Sequence, residues 1–191
     1  MLERASERYE GFAALCADFE QNLHVPLLSQ TTQSEGRLCQ RAPNFFRMDF
    51  TDPEGDEIVA DGEHLWLYYP NSQPGQVIQT ELANGGAIDF HREFLSNPAT
   101  RYAIDAEGRE DVGGHSTERF RLVPKEPGAY VRATVWVDVR DALVWRVEIE
   151  QEGGSVRVVN MSNLDLNPSL DAAYFRFDVP DGVHVARMPG S

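Results

Sequence analysis

The stretch Ile58-Val59-Ala60-Asp61-Gly62-Glu63-His64-Leu65-Trp66-Leu67-Tyr68-Tyr69-Pro70 places two short apolar runs on either side of an Asp-Gly dipeptide. Each run has strand length, and Gly62 accepts a positive φ at little cost, so the stretch predicts a tight β-hairpin. It follows Arg41-Ala42-Pro43-Asn44-Phe45-Phe46-Arg47-Met48, which begins a second alternating run. A period of two predicts a strand there, with Phe46, Met48 and Phe50 on one face.

The same period recurs on both sides of this region, over residues 15–23, 131–139, 144–149 and 155–161. Pro and Gly residues separate the runs, as is typical of antiparallel β architectures. A sheet of about ten strands has to curl to hide its apolar face. We therefore expect a mainly β (α+β) fold, in which a curved antiparallel sheet forms a half-open β-barrel.

Two segments have helical spacing instead, with apolar residues every three or four positions. Their apolar positions are Leu2, Ala5, Tyr9 and Phe12 in the first, and Ile88, Phe90, Phe94 and Leu95 in the second. Gly11 marks the end of the first helix, and Pro98 limits the second. We expect the N-terminal helix and a short internal helical lid to cover the barrel.

Composition bounds the class of protein. The chain has 191 residues, 41% hydrophobic and 25% charged, which is close to the globular average. This length favours one domain over residues 1–191, which we expect to be a monomer without a cofactor. The formal charge is -14, from 17 basic and 31 acidic residues. Since phosphate-backbone affinity depends on Lys and Arg, nucleic acid is excluded as a partner.

The titratable residues form no pattern typical of catalysis or metal binding. None of the five histidines has a second ligand at metal spacing, and His115-Ser116 follows Gly113-Gly114 in an expected turn. The carboxylates mostly occupy the polar phase of strands or loops, where such groups are usually solvated. We expect no enzyme, no catalytic residue and no metal site.

Tryptophans leave a carbohydrate-binding module as an alternative, because Trp66, Trp136 and Trp145 could stack on sugar rings. Trp145 shares the phase of apolar residues and is expected to be packed. Trp136 shares the polar face of its strand and is the one expected to be displayed.

The only cysteines are Cys16 and Cys39, and both fall on expected strands. A hairpin that turns near Leu27-Leu28 places them opposite each other, so a cross-strand disulfide fits the geometry and would contribute about 3 kcal/mol. Two buried free thiols are the alternative, since a shift of one residue in the turn breaks the pairing.

The order of four motifs resembles the LolA-type family of periplasmic lipoprotein carriers. The motifs are Ala17-Asp18-Phe19-Glu20-Gln21, the Pro-x-x-Phe strand at Pro43, the Asp-Gly-x-x-Leu-Trp-x-Tyr turn at Asp61, and Phe175-Arg176-Phe177-Asp178-Val179-Pro180-Asp181-Gly182-Val183. Each motif is short, but their order and spacing span nearly the whole chain.

The resemblance implies a half-closed barrel whose apolar interior holds the acyl chains of lipoproteins. An inner-membrane release transporter would supply the lipoprotein, and an outer-membrane receptor of similar fold would accept it. Alignment onto the family assigns the cavity lining to seven residues: Phe46, Met48, Phe50, Ile58, Phe90, Phe94 and Leu95. The alternative for each of these side chains is ordinary core.

The family often carries Arg directly before the Pro of Pro-x-x-Phe, where hydrogen bonds to the lid keep the empty cavity shut. This chain has Ala42 at that position. Arg41 and Arg47 are the candidate latch residues, although neighbouring positions of a strand face opposite sides and neither is an automatic substitute.

The expected location is the periplasm, on the strength of the resemblance and the cysteines. The segment Met1-Leu2-Glu3-Arg4 leads into a charged helix pattern without the apolar run of a signal peptide. Two alternatives stay open: a periplasmic sensor or regulatory domain of similar fold that binds lipidated envelope proteins, and a related lipid or glycolipid carrier.

Overall fold

The computed structural model describes residues 1–82 and 93–188. The strands are β1 (Ala14–Val25), β2 (Gln30–Arg41), β3 (Phe45–Asp52), β4 (Glu57–Asp61), β5 (His64–Tyr68), β6 (Gln76–Glu81), β7 (Tyr102–Val112), β8 (His115–Pro124), β9 (Arg132–Asp138), β10 (Val144–Glu150), β11 (Val156–Leu166) and β12 (His184–Met188). The helices that lie entirely within the described ranges are α1 (Leu2–Glu10), α2 (Pro98–Arg101) and two 3-10 helices, Pro26–Leu28 and Ala172–Phe175.

The strands form one open sheet of twelve, in the order β12-β6-β5-β4-β3-β2-β1-β11-β10-β9-β8-β7. Antiparallel pairing runs from β2 through β6 and again from β7 through β11. The mainly β prediction is therefore confirmed. One pairing differs from the antiparallel expectation, because β12 lies parallel to β6. A long connection delivers β12 to the sheet edge, and only such a connection allows parallel pairing.

The chain divides into two compact units. The first unit comprises Met1–Phe12, Phe19–Gln33 and Phe90–Ser162, and the second comprises Ala13–Asp18, Ser34–Asp89 and Asn163–Ser191. Each unit has its own buried residues. That residues 1–191 form one domain stays a prediction.

Within the first unit, helix α1 packs on the end of the β9–β10 hairpin. Its apolar stripe includes Leu2, Ala5 and Tyr9, all buried, and Gly11 caps its C-terminus as predicted. The Tyr9 hydroxyl accepts a 3.0 Å hydrogen bond from the backbone N–H of Val144. Burial raises the pKa of the Tyr9 hydroxyl, so the group stays neutral at this contact.

The predicted internal helix lies mostly outside the described residues, and so does the candidate cavity residue Phe90. The described part begins at residue 93 and includes Phe94 and Leu95, which are both buried. No helix within residues 1–82 and 93–188 is long and apolar enough to cross a membrane.

Candidate functional site

One row of apolar side chains crosses six neighbouring strands of the second unit. Cross-strand register pairs its members in the order Leu38, Met48, Ile58, Leu67, Ile78 and Ala186. Residues paired in register share a face of the sheet, so the row is one continuous apolar strip, here called the Met48 face. Leu38, Met48 and Ile58 are buried, while Leu67 and Ile78 are half-buried.

The neighbouring row that contains Phe46 extends this face without adding a charge. Phe46 pairs with Ala60, which pairs with Leu65, and all three carry apolar side chains. Phe50 lies opposite Gly36 in β2 and is also buried. The structure thus brings Phe46, Met48, Phe50 and Ile58 together on one face. Sequence reasoning missed Leu38, Leu67 and Ile78, because their phase relative to Met48 depends on strand register rather than on a local pattern.

The opposite face of the same strands, here called the Val59 face, is covered by the C-terminal segment of the unit. Phe177 packs against Val59 and Val77 and stacks on Trp66, with ring centroids 5.4 Å apart. Phe175 is fully buried and lies 5.5 Å from the ring of Phe45. The two aromatic residues of the closing motif are therefore a cover for the Val59 face.

A disulfide joins Cys16 and Cys39, as the hairpin geometry suggested. Both cysteines are buried, and Phe175 packs against them with Leu170 and Tyr174 at the edge of the cluster. A buried disulfide under an aromatic cover is protected from reductants in solution. It fixes β1 to β2 beneath the C-terminal segment.

The two candidate latch arginines also contact the C-terminal segment. Arg41 donates to the Leu170 carbonyl at 2.9 Å, and its guanidinium lies 4.5 Å from the centroid of the Phe45 ring. Arg47 donates to the carbonyl oxygens of Tyr174 and Arg176 at 3.4 and 3.3 Å. These contacts fasten the cover of the Val59 face, and a bond from either arginine to a helical lid stays a prediction.

Arg47 is held in place by two carboxylates of the same face. Its Nε lies 2.8 Å from Asp49 and its Nη2 lies 2.8 Å from Glu57. Burial raises the pKa of Glu57, and the positive charge of Arg47 partly offsets that effect. Arg47, Asp49 and Glu57 thus lie on the Val59 face, and the charged residue of β3 in phase with Met48 is Asp52, which is exposed at the end of the strand.

The Asp-Gly turn is held by its aspartate. The Asp61 carboxylate accepts hydrogen bonds from the backbone N–H groups of Glu63 and His64 at 3.0 and 2.8 Å, and from the indole Nε1 of Trp66 at 2.8 Å. Gly62 has a φ of 100°, which the turn requires. Burial opposes the charged form, but the donated hydrogen bonds hold the pKa of Asp61 below its usual range.

In the first unit, the predicted residue Phe94 lies beside a buried polar cluster. Its ring is 5.7 Å from that of Tyr130, whose hydroxyl bonds Tyr102 at 2.6 Å and also bonds the Glu93 carboxylate. Arg101 completes the cluster with an ion pair to Glu93 at 2.9 Å. Burial raises the pKa of Tyr102 to about 12, so its hydroxyl acts as a neutral hydrogen-bonding group. The cluster anchors the backbone immediately before Phe94 and Leu95.

The histidine that the sequence places in a turn has a structural partner. His115 lies 3.1 Å from the Asp138 carboxylate and stacks on Trp145 with ring centroids 3.4 Å apart. Asp138 also accepts from the backbone of Arg140 at 2.6 Å, so this carboxylate shapes the β9–β10 turn. Within the described ranges, no group of three His, Cys, Asp or Glu residues could hold a metal ion.

The expectation that Trp136 is displayed to solvent is wrong. Only 4% of Trp136 is exposed, because Arg146 lies 5.3 Å above its ring and its indole N–H donates to Glu110 at 2.9 Å. Long charged side chains can cover an aromatic ring with their stems while their heads stay in water. The strand phase was correct, but phase alone does not reveal such a cover.

A depression of about 480 Å³ beside α1 is lined by Arg4, Glu7, Arg8, Arg140 and Asp141. Charged walls of this kind suit polar groups and not acyl chains. The paired side chains of the Met48 face, from Leu38 to Ile78, are apolar instead.

Comparison with known proteins assigns the family. The model of the family described as outer membrane lipoprotein carrier protein LolA matches residues 10–178. An outer-membrane lipoprotein carrier protein of Haemophilus ducreyi is 30% identical over 188 residues, covering 96% of this chain and 83% of that protein. One of Chromohalobacter salexigens is 23% identical over 194 residues, covering 98% and 87%.

Solved structures of low identity share the fold. An uncharacterized conserved protein of Thermus thermophilus aligns with a TM-score of 0.62 at 13% identity, covering 98% of this chain and 96% of that one. MucB aligns with a TM-score of 0.56 at 14% identity, covering 93% of this chain and 61% of MucB. Since the family model spans most of the residues, the chain belongs to the LolA family of outer membrane lipoprotein carrier proteins.

Proposed function

We propose that this chain is a periplasmic carrier that shields lipoprotein acyl chains in an apolar cavity and transfers them from the inner to the outer membrane. Its relatives are named outer-membrane lipoprotein carrier proteins. The observation that carries the proposal is the Met48 face, whose paired side chains are apolar from Leu38 across to Ile78.

The other face of these strands packs against Phe175 and Phe177 and carries the charged side chains of Arg47, Asp49 and Glu57. Each CH₂ group removed from water contributes about 0.8 kcal/mol, so an acyl chain gains most on a surface without polar atoms. Met48 adds a flexible thioether that adapts to different chain shapes. We therefore assign the acyl chains to the Met48 face, with Phe46, Phe50 and Ile58 beside them.

The disulfide between Cys16 and Cys39 supports a periplasmic location, because such bonds persist in oxidising compartments. We further propose that residues 1–191 work as one LolA-like domain. Its partners would be an inner-membrane release transporter and an outer-membrane receptor of similar fold. No catalytic residue is assigned, in keeping with a family of carriers.

Titration with a fluorescent fatty acid tests the assignment. The variant Leu67→Gln/Ile78→Gln makes two half-buried positions of the Met48 face polar, which limits the damage to folding. We expect its affinity for the probe to fall about tenfold or more, since two apolar contacts are lost. The control Val179→Gln changes an exposed apolar residue of the same unit and should bind like the wild type. Equal affinity of all three proteins would refute the assignment.

A sensor is the second candidate, and the observation that favours it is the similarity to MucB in complex with MucA(peri), with a TM-score of 0.52 at 14% identity. A sensor of this kind would recognise the protein part of its ligand. Binding of the delipidated form of a captured lipoprotein, as tightly as of the acylated form, would favour the sensor over the carrier.

A further inference from the structure

The tip of the β1–β2 hairpin carries two exposed leucines. Leu27 is 85% exposed and Leu28 is 69% exposed, more than any other large hydrophobic residue that the structure describes. Both lie in the 3-10 helix Pro26–Leu28, which ends at Ser29 with a φ of 48°. Exposed leucines are common singly, but two adjacent ones at a hairpin tip mark a contact surface.

The tip is held in a defined conformation. His24 and Thr31 form a 3.0 Å hydrogen bond across the hairpin below the leucines. Pro26 restricts the backbone at the start of the turn. The Pro26 ring lies close to Gly154 of the β10–β11 turn, where a methyl group added to Gly154 would be 3.8 Å from Pro26 Cγ. The leucines therefore project from a supported base, and little backbone conformational entropy is lost when they are buried against a partner.

The hairpin around the tip is uncharged. Residues 21–34 contain no Asp, Glu, Lys or Arg, although 25% of the whole chain is charged and its formal charge is -14. The flanking side chains are mostly small or neutral polar groups such as Gln30, Thr31 and Thr32. The adjacent β10–β11 turn contributes one acid, Glu152. This hairpin can approach anionic headgroups with little of the repulsion that an acidic surface otherwise creates.

We propose that Leu27 and Leu28 insert into the interfacial layer of a lipid bilayer and dock the protein there transiently. A convex tip with two leucines offers no groove to a protein partner, whereas the boundary between headgroups and acyl chains accepts small apolar projections. Neutral polar flanks suit the headgroup layer. Two leucines bind more weakly than one myristoyl chain, which itself binds reversibly, so the contact permits release. This inference goes beyond the proposed function, since it concerns the membrane and not the cargo.

Flotation with vesicles of phosphatidylethanolamine and phosphatidylglycerol tests the docking. We expect the wild type to float and the partition coefficient of Leu27→Ser/Leu28→Ser to fall about tenfold or more, since the variant lacks both apolar side chains that would enter the bilayer. The control Val131→Ser/Met188→Ser removes two other exposed apolar side chains and should float like the wild type. A wild type that does not float, or a leucine variant that floats equally well, would overturn the proposal.

Two further readouts locate the contact. In Leu27→Trp, the introduced indole should shift its emission to the blue with vesicles and be quenched by brominated lipids; an unchanged emission from a floating protein would place the contact elsewhere.

In Gln30→Glu/Thr32→Glu, two exposed polar residues become acids, so binding to anionic vesicles should weaken at low salt and recover at high salt. The absence of any weakening would contradict the charge argument.

The docking proposal and the carrier proposal can be tested independently of each other. Leu27→Ser/Leu28→Ser should bind the fluorescent fatty acid like the wild type, and Leu67→Gln/Ile78→Gln should still float. The leucines could instead contact a second copy of this chain, and sedimentation of the wild type tests this by measuring whether it forms a dimer. A dimer that dissociates only in Leu27→Ser/Leu28→Ser would show that the tip binds itself and would overturn docking to the bilayer.

Discussion

The indole Nε1 of Trp66 donates a 2.8 Å hydrogen bond to the Asp61 carboxylate. The same Trp66 ring stacks on Phe177, so the pair connects the Asp-Gly turn to the C-terminal cover of the Val59 face. Two motifs that are far apart in sequence, Asp-Gly-x-x-Leu-Trp and Phe-x-Phe, thereby belong to one packing unit. Their aromatic residues stabilise the sheet from the side opposite the Met48 face.

Removal of the Asp61 carboxylate should destabilise the turn. Asp61→Ala leaves the Trp66 indole and two backbone N–H groups without their acceptor, and we expect the free energy of unfolding to fall by about 2–3 kcal/mol. Urea unfolding measures the change. The control Asp181→Ala alters an exposed aspartate of the same unit and should unfold like the wild type. Equal unfolding midpoints for Asp61→Ala and the control would rule out this role.

The lowered pKa of Asp61 predicts a pH dependence of stability. Because its folded pKa lies below the unfolded value of about 4, its contribution is complete above that pH and is lost as the pH falls through the folded pKa. Unfolding of wild type and Asp61→Asn from pH 7 to pH 3 should therefore show a stability difference that shrinks in acid. Asp181→Asn keeps the Asp61 network and should follow the wild-type curve. A difference that grows in acid would contradict the sign of the shift.

The disulfide should contribute about 3 kcal/mol to stability, given the sequence separation of 23 between Cys16 and Cys39. Cys16→Ala/Cys39→Ala should lower the melting temperature relative to the oxidised wild type. A strong reductant present during unfolding should bring the wild type close to the variant and should leave the variant itself unchanged. A reductant effect of equal size on both proteins would point to a cause other than this bond.

Truncation of Phe177 should loosen the C-terminal cover. Phe177→Ala removes a buried ring from the Val59 face, and we expect a loss of about 3 kcal/mol. Amide hydrogen exchange should accelerate in His184–Met188, the strand that follows the cover. Val179→Ala, at an exposed position two residues later, should leave exchange unchanged. Unchanged exchange in Phe177→Ala would show that β12 is held independently of the ring.

Short-range sequence patterns predicted the strands and turns whose geometry depends on neighbouring residues. Period-two alternation predicted β1, β3, β9, β10 and β11, and the two apolar runs beside Asp61-Gly62 predicted the β4–β5 hairpin, because strand facing and turn dihedrals depend on adjacent residues. The hairpin made the pairing of Cys16 with Cys39 possible, but a shift of one residue in its turn would have broken the pairing, so two free thiols stayed open as the alternative. The Met48 face could be found only in part, since Leu67 and Ile78 join it through register.

Long-range packing could not be predicted from these patterns. The parallel pairing of β12 with β6 joins segments such as Ala186 and Ile78 that are far apart in sequence. The contacts of Arg41 and Arg47 also depend on a distant segment, because these side chains donate to the carbonyl oxygens of Leu170 and Tyr174. Alternation shows which residues share a face, but not which distant segment covers it.

Native mass spectrometry of protein recovered from a Gram-negative periplasm weighs whatever the protein holds, and a comparison of variants shows whether the Met48 face holds it. We predict acyl-bearing adducts on the wild type and on Val179→Gln, and their loss from Leu67→Gln/Ile78→Gln. The adduct masses would also distinguish a lipoprotein from a glycolipid. Adducts that persist in the Leu67→Gln/Ile78→Gln protein, or a wild type that carries none and binds no fatty acid probe, would contradict the assignment of acyl chains to the Met48 face.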